Sequence, residues 1–208
     1  MYVRFGKRLC DIAIGIVALP FVLIVIAVLA PFIKGEDGGP VFYNAPRVGK
    51  DGVDFTMYKL RSMRVNAPDL LMPDGSTYNG ADDPRMTKVG AFMRKTSLDE
   101  IPQFLNVLKG DMSVVGPRPD LRRETELYQG EEHRKLSVKP GITAAVYGRN
   151  SLPWHDRLAL DIYYVDHVSF ALDVKVFLKT FSTVLSQEGV YVEDAESESD
   201  AKGNGTSA

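Results

Sequence analysis

A chain of 208 residues suits one compact domain with a membrane segment and a tail attached, and an apolar content of 45% permits a buried core. The formal net charge of −2 is uneven: residues 188–208 hold six acids against Lys202, a balance of −5, which leaves +3 on residues 1–187. That mildly basic body suits phosphates or lipid headgroups, and nucleic acid is not an expected partner; Cys10 alone excludes an internal disulfide, and the scattered His133, His155 and His167 speak against zinc.

Arg4, Lys7 and Arg8 precede an apolar run from Leu9 to Ile33 in which Asp11 is the sole charge. A cleaved signal peptide would be shorter and would end in a small-x-small site, which is not evident here. A single spanning helix is long enough for a hydrocarbon core of about 30 Å. Pro20 in the middle and basic residues on both sides (Lys34 follows) also fit a re-entrant helix, broken at Pro20, that leaves by the face it entered. Both membrane readings stand at this point.

Gly38-Gly39-Pro40 closes that segment, and a domain boundary is placed so that residues 1–36 are the membrane helix. Val41–Tyr43 and Val53–Leu60 read as strands around the turn Gly49-Lys50-Asp51-Gly52. Residues 66–84, rich in Pro, Gly, Asp and Asn, read as an exposed loop. A helix is predicted over Asp99–Lys109, closed by Gly110. Near the end, Val174, Phe177, Leu178, Phe181, Val184 and Leu185 recur at helical spacing after Asp173, which is placed to cap the start. That stripe is either core or the face of an interfacial helix. Residues 37–190 form the expected soluble-face domain, and 191–208 an acidic, disordered tail. The fold class is α/β, mostly α with a small β-hairpin.

Arg94 to Gln103 is the most informative stretch. Ser97-x-x-Glu100 matches a capping box, so the acids could simply start a helix. With Ser97 as cap, however, Pro102 would break a ladder bond; starting nearer Asp99 places Pro102 in the tolerated first turn. Asp99 and Glu100 then sit at the positive helix end, which favours an ionised carboxylate and attracts phosphate. Such a carboxylate can attack phosphorus or bind magnesium. Arg94, Arg118 in Gly116-Pro117-Arg118-Pro119, and Arg149 in Gly148-Arg149-Asn150 supply guanidinium groups that suit a diphosphate.

Taken in order, Gly39-Pro40-Val41-Phe42, Arg47-Val48-Gly49, Tyr58-Lys59-Leu60-Arg61-Ser62-Met63, Pro84 to Gly90, Arg94 to Gln103, Asn106 to Ser113, Gly116 to Pro119, Lys139 to Thr143, Gly148 to Asn150 and Asp161 to Val165 resemble the bacterial sugar transferases, the monotopic polyprenyl-phosphate phosphoglycosyl transferases. The resemblance runs over nearly all of residues 1–190. It departs at Leu19, where serine usually precedes the proline, and in a shorter loop before Gly148.

The resemblance implies a re-entrant helix broken at Pro20 and a catalytic domain on the cytoplasmic face of the bacterial inner membrane, partly sunk into the bilayer on amphipathic helices. It implies that Asp99, with Mg2+, attacks the sugar-proximal phosphorus of a UDP-sugar, releases UMP, and passes the phosphosugar to polyprenyl (undecaprenyl) phosphate. Glu100 belongs to the same dyad. Arg94, Arg118, Arg149 and Lys59 are implied phosphate contacts, and Asp161 and Asp173 supporting polar positions. Such a step opens glycan assembly, and other assembly enzymes are possible partners. The alternative is a non-catalytic membrane-anchored scaffold of such a complex; a magnesium-dependent phosphohydrolase, with water as acceptor, is a third reading.

Overall fold

The computed structural model describes residues 2–71, 78, 80, 82–144, 152 and 154–186. A π-helical stretch, Tyr2–Gly6, leads into α1, Lys7–Asp37, whose 31 residues extend about 46 Å at helical rise. Gly38 closes it at φ 72, donating its N–H to the Lys34 carbonyl at 2.9 Å. Pro20 and Pro31 each remove one ladder donor, and the helical conformation continues past both.

Asp11, Gly15, Val22, Val25, Leu29 and Ile33 are the buried residues of α1, spaced so that they form one seam. Ile16, Val17, Phe21, Leu23, Ile24 and Val28 are exposed. The helix is long and apolar enough to cross a membrane, yet its seam packs on the rest of the chain. Near its start, Arg8 donates to the carbonyls of Val107 at 2.5 Å and Leu108 at 2.9 Å. A Cβ on Gly15 would meet Leu108 at 2.7 Å, so glycine permits the close crossing over α3, Gln103–Lys109. Near its end, Asp37 takes two bonds from Arg61, at 2.6 and 2.8 Å, and Glu36 accepts the Val89 N–H at 2.8 Å. Both ends of α1 therefore touch the same domain.

Strands β1, Ala45–Val48, and β2, Asp54–Met57, pair antiparallel around a 3-10 turn at Lys50–Gly52. Asp51 (φ 57) and Gly52 (φ 76) take the left-handed conformations of the turn. The turn pairs the residues nearest to it, so the first strand is 45–48 rather than 41–43. The expected segment is nevertheless used: Phe42 bridges Leu60, and the Tyr43 N–H bonds the Lys59 carbonyl at 2.8 Å.

A helix not anticipated from sequence, α2, Lys88–Lys95, starts at Thr87, whose hydroxyl accepts the Gly90 N–H at 2.9 Å. The predicted Asp99–Lys109 helix is split: a 3-10 turn at Leu98–Glu100 precedes α3, which starts after Pro102 and ends at Gly110, φ 103. Ser97 takes φ 55 and makes no side-chain cap bond, so the capping box is not formed.

Strand β3, Ser113–Val115, is followed by the one-turn α4, Arg122–Thr125, and a 3-10 stretch, Gly130–Ser137. Strand β4, Gly141–Thr143, then pairs parallel to β3, and α5, Trp154–Asp166, and α6, Phe170–Ser186, complete the chain described. The fold is mostly helical with two small sheets.

One core joins Met57, Val107, Met112, Val114, Val115, Tyr164 and Val176; a second joins Val25, Leu29 and Ile33 of α1 to Leu60 and Met93. In α6 the described members of the apolar stripe face outward, and a residue outside the stripe, Val176, turns inward; the side chains of Phe181, Val184 and Leu185 lie outside those described. Val176 is buried, whereas Phe170, Val174, Phe177 and Leu178 are exposed, which removes the core reading for Val174, Phe177 and Leu178. Asp173 lies inside the first turn instead of capping it, and Ser169 Oγ accepts the Leu172 N–H at 3.3 Å. The expected acidic tail, 191–208, lies outside the described residues.

Candidate active site

Leu98 and Ile101 pack against the cluster of Val25, Leu29, Ile33, Leu60 and Met93, which pins the 3-10 turn between them. The Leu60 N–H bonds the Asp99 carbonyl at 2.9 Å, so the segment carrying Lys59 runs beside the turn. As a result Lys59 Nζ lies 2.8 Å from Asp99 Oδ2 and 3.4 Å from Glu100 Oε1. Asp99 is 2% exposed, and beyond the Lys59 ion pair its Oδ2 takes no hydrogen bond from a described residue. The oxygen is thus charge-paired but keeps lone pairs free, which is unusual for a buried carboxylate.

Arg118 comes from the opposite side. Its loop follows β3 and holds the guanidinium between Pro117 and Pro119, which fix the backbone on both sides. Gly116 and Gly141 press together: a Cβ on Gly141 would lie 2.1 Å from the Gly116 nitrogen. The Gly141 N–H bonds the Pro117 carbonyl at 2.8 Å, and the Gly116 N–H bonds the Thr143 carbonyl at 3.0 Å. From this anchored loop Arg118 donates to Glu100 Oε1 at 3.1 Å. Burial raises the Glu100 pKa, but Arg118 and Lys59 outweigh it and hold the carboxyl down at about 2. These two cations, more than the seven-residue α3, balance the acidic pair.

A narrow cleft opens beside them, lined by Arg47, Met57, Glu100, Gln103, Arg118 and Ile142. Burial and then the Arg118 charge lower the pKa of Arg47, a sign that two guanidinium groups are held close. Arg47 and Gln103 appear in the sequence only within matched motifs, and no spacing rule brings β1 to the Arg118 loop.

The structure brings together Asp99, Glu100, Lys59 and Arg118. Arg94, on α2, donates to Ser62 Oγ at 3.3 Å and lies 3.9 Å from Asp83 Oδ2. Asp161 is fully buried 3.0 Å from Lys135, which also pairs with Asp120. Asp173 accepts from Tyr2 at 2.5 Å, Lys7 at 2.6 Å and Tyr164 at 2.6 Å. Those last two acids belong to buried networks that tie α5 and α6 to the body. Arg149 lies outside the described residues.

Among the described residues no group of three or more His, Cys, Asp or Glu could cage a metal. Magnesium does not need such a cage, because it commonly takes one or two carboxylates and completes its shell with substrate phosphates and water. The free lone pairs of Asp99 Oδ2 fit that kind of site.

The model of the family described as bacterial sugar transferase matches residues 2–187. The chain is 45% identical over 194 residues to galactosyl transferase CpsE of Streptococcus agalactiae, covering 88% of this chain and 43% of that protein. It is 41% identical to the uncharacterized sugar transferase EpsL of Bacillus subtilis, covering 88% of this chain and 89% of EpsL. It is 40% identical to undecaprenyl-phosphate galactose phosphotransferase of Salmonella typhimurium, covering 90% of this chain and 42% of that protein. The chain thus spans less than half of two of these relatives and nearly all of the third. It belongs to the bacterial sugar transferase family.

Proposed function

We propose that the protein is a phosphoglycosyl transferase that moves a sugar 1-phosphate from a UDP-sugar to polyprenyl phosphate by way of Asp99. The observation that carries this reading is the buried Asp99 carboxylate, whose Oδ2 is ion-paired with Lys59 and takes no hydrogen bond from another described residue, while Glu100 is braced by Arg118. The names of relatives support the acceptor class, since the Salmonella protein is an undecaprenyl-phosphate galactose phosphotransferase.

In the first half-reaction Asp99 Oδ2 bonds to the sugar-proximal phosphorus, and the bond from that phosphorus to the bridging oxygen breaks, so that UMP leaves with the electron pair. In the second, a phosphate oxygen of the polyprenyl phosphate bonds to the same phosphorus and the bond to Asp99 breaks. No water enters, and the lipid carries away a diphosphosugar. Lys59 and Arg118 neutralise charge that would otherwise repel two successive anions, and Glu100 fixes both cations by accepting from each. A magnesium ion held by Asp99 and the diphosphate oxygens would supply further positive charge at the leaving group.

The membrane supplies the second substrate. Both ends of α1 touch the catalytic domain, which supports a re-entrant topology over a straight span; the proposal sets both ends on the cytoplasmic face of the inner membrane. The exposed apolar faces of α1 and α6 fit partial immersion in the bilayer, where the prenyl chain resides.

The test is UMP release from UDP-galactose by detergent-solubilised protein with magnesium, with and without undecaprenyl phosphate. Release that depends on the lipid supports the transferase. Turnover without lipid would make the protein a hydrolase, and no release from UDP-galactose or UDP-N-acetylgalactosamine would leave the scaffold reading.

A further inference from the structure

We propose that Arg47 and Arg118 form the seat of a phosphate monoester, one subsite filled in turn by the departing nucleoside monophosphate and the arriving polyprenyl phosphate. This rests on the double displacement above. In an in-line displacement the leaving oxygen departs opposite the attacking one. UMP therefore leaves from the position opposite Asp99, and the acceptor's phosphate must attack Asp99-bound phosphorus from that same position. The chemistry calls for one phosphate seat that serves two molecules with nothing else in common.

The cleft beside the acidic pair has the charge for it. Arg47 and Arg118 enter from β1 and from the loop after β3 and line the same opening. Arg118 gives an N–H to Glu100, and Arg47 gives one to the Pro46 carbonyl at 2.9 Å. Among the described residues Arg47 forms no ion pair with a carboxylate. Of the charged groups lining the cleft, two cations (Arg47, Arg118) face one acid (Glu100), leaving one positive charge over. The charges of Glu124 and Asp120 act on Arg47 but do not offset its burial and the Arg118 charge; a guanidinium so placed is relieved by a dianion, and the paired N–H edges suit phosphate oxygens. The sugar and the base need not enter this seat, so it does not distinguish between sugars.

The experiment uses the full chain in detergent with UDP-galactose and magnesium. Exchange of labelled UMP into UDP-galactose, run without lipid, reads the UMP half-saturation; lipid-dependent turnover reads the KM for undecaprenyl phosphate. In Arg47→Gln both constants are expected to rise together by about tenfold or more, with Arg47→Lys recovering part of each. If wild type exchanges UMP but both constants of Arg47→Gln stay within about twofold, or if just one moves, the shared seat is refuted. If wild type exchanges UMP into neither UDP-galactose nor UDP-N-acetylgalactosamine, the double displacement itself fails and the inference falls with it. Thermal unfolding of both variants accompanies the assay. A rise in both constants counts for the seat only where the variant unfolds as wild type does or Arg47→Lys restores both, and a rise with neither refutes it as a folding defect.

Discussion

Replacing Asp11 with alanine isolates the contact that fastens the start of α1 to β3. Asp11 is 4% exposed, and its Oδ1 accepts the Ser113 hydroxyl and the Val114 N–H, each at 2.9 Å. Hydrogen bonds to a charged acceptor contribute about 1.5–3 kcal/mol each, and a buried donor left without a partner adds its own cost. Removing the carboxylate also removes its desolvation penalty, so the net loss is about 2–4 kcal/mol. For a chain of this size that lowers the Tm by about 5–15 °C. Ser113→Ala leaves the Val114 bond in place and should cost about 1 kcal/mol, with a coupling between the two sites of about 1 kcal/mol in a double-mutant cycle. Thermal unfolding of the three variants in detergent gives all terms. A shift under about 2 °C for Asp11→Ala would refute the argument that this lone charge is a structural anchor.

Glu100 titrates at about 2 in place of an ordinary 4.5, so its contribution to stability is complete above 4.5 and is lost as pH falls from there towards 2. Glu100→Gln should flatten unfolding-versus-pH curves in that window, whereas a slope equal to that of the wild type would contradict the assignment. Lys135→Met removes the ammonium that pairs with both buried acids, Asp120 and Asp161, and should cost about 3–5 kcal/mol in thermal unfolding. Gly90→Ala would set a Cβ 1.8 Å from the Ser62 carbonyl oxygen, a backbone atom that cannot swing away. It should destabilise by about 3 kcal/mol, measured in the same way.

Local chemistry was readable wherever a single residue type dictates a backbone state. The Gly49–Gly52 turn, the Gly110 helix end and the stiff Pro117-Arg118-Pro119 loop appear where the sequence places them. The acidic pair was legible as a candidate, but its setting was not, because a left-handed Ser97 replaces the cap that Ser97-x-x-Glu100 suggests. Sheet β3–β4 joins three-residue strands 28 positions apart in sequence, too short for any alternation to register. Asp161 and Asp173 look like site acids in a motif; in the fold Lys135, Lys7 and two tyrosines satisfy them. Arg47 escaped notice for the converse reason. Its meaning comes from Arg118, which lies 71 residues away in the chain.

The central claim is a covalent bond between Asp99 and phosphorus. Incubation with UDP-galactose and magnesium in the absence of lipid, followed by intact-protein and tandem mass spectrometry, tests it directly. The expected result is a mass gain of one phosphosugar, mapped to Asp99, absent from Asp99→Asn and discharged on adding undecaprenyl phosphate. UMP release with an unmodified protein, or a phosphosugar on another residue, would contradict it.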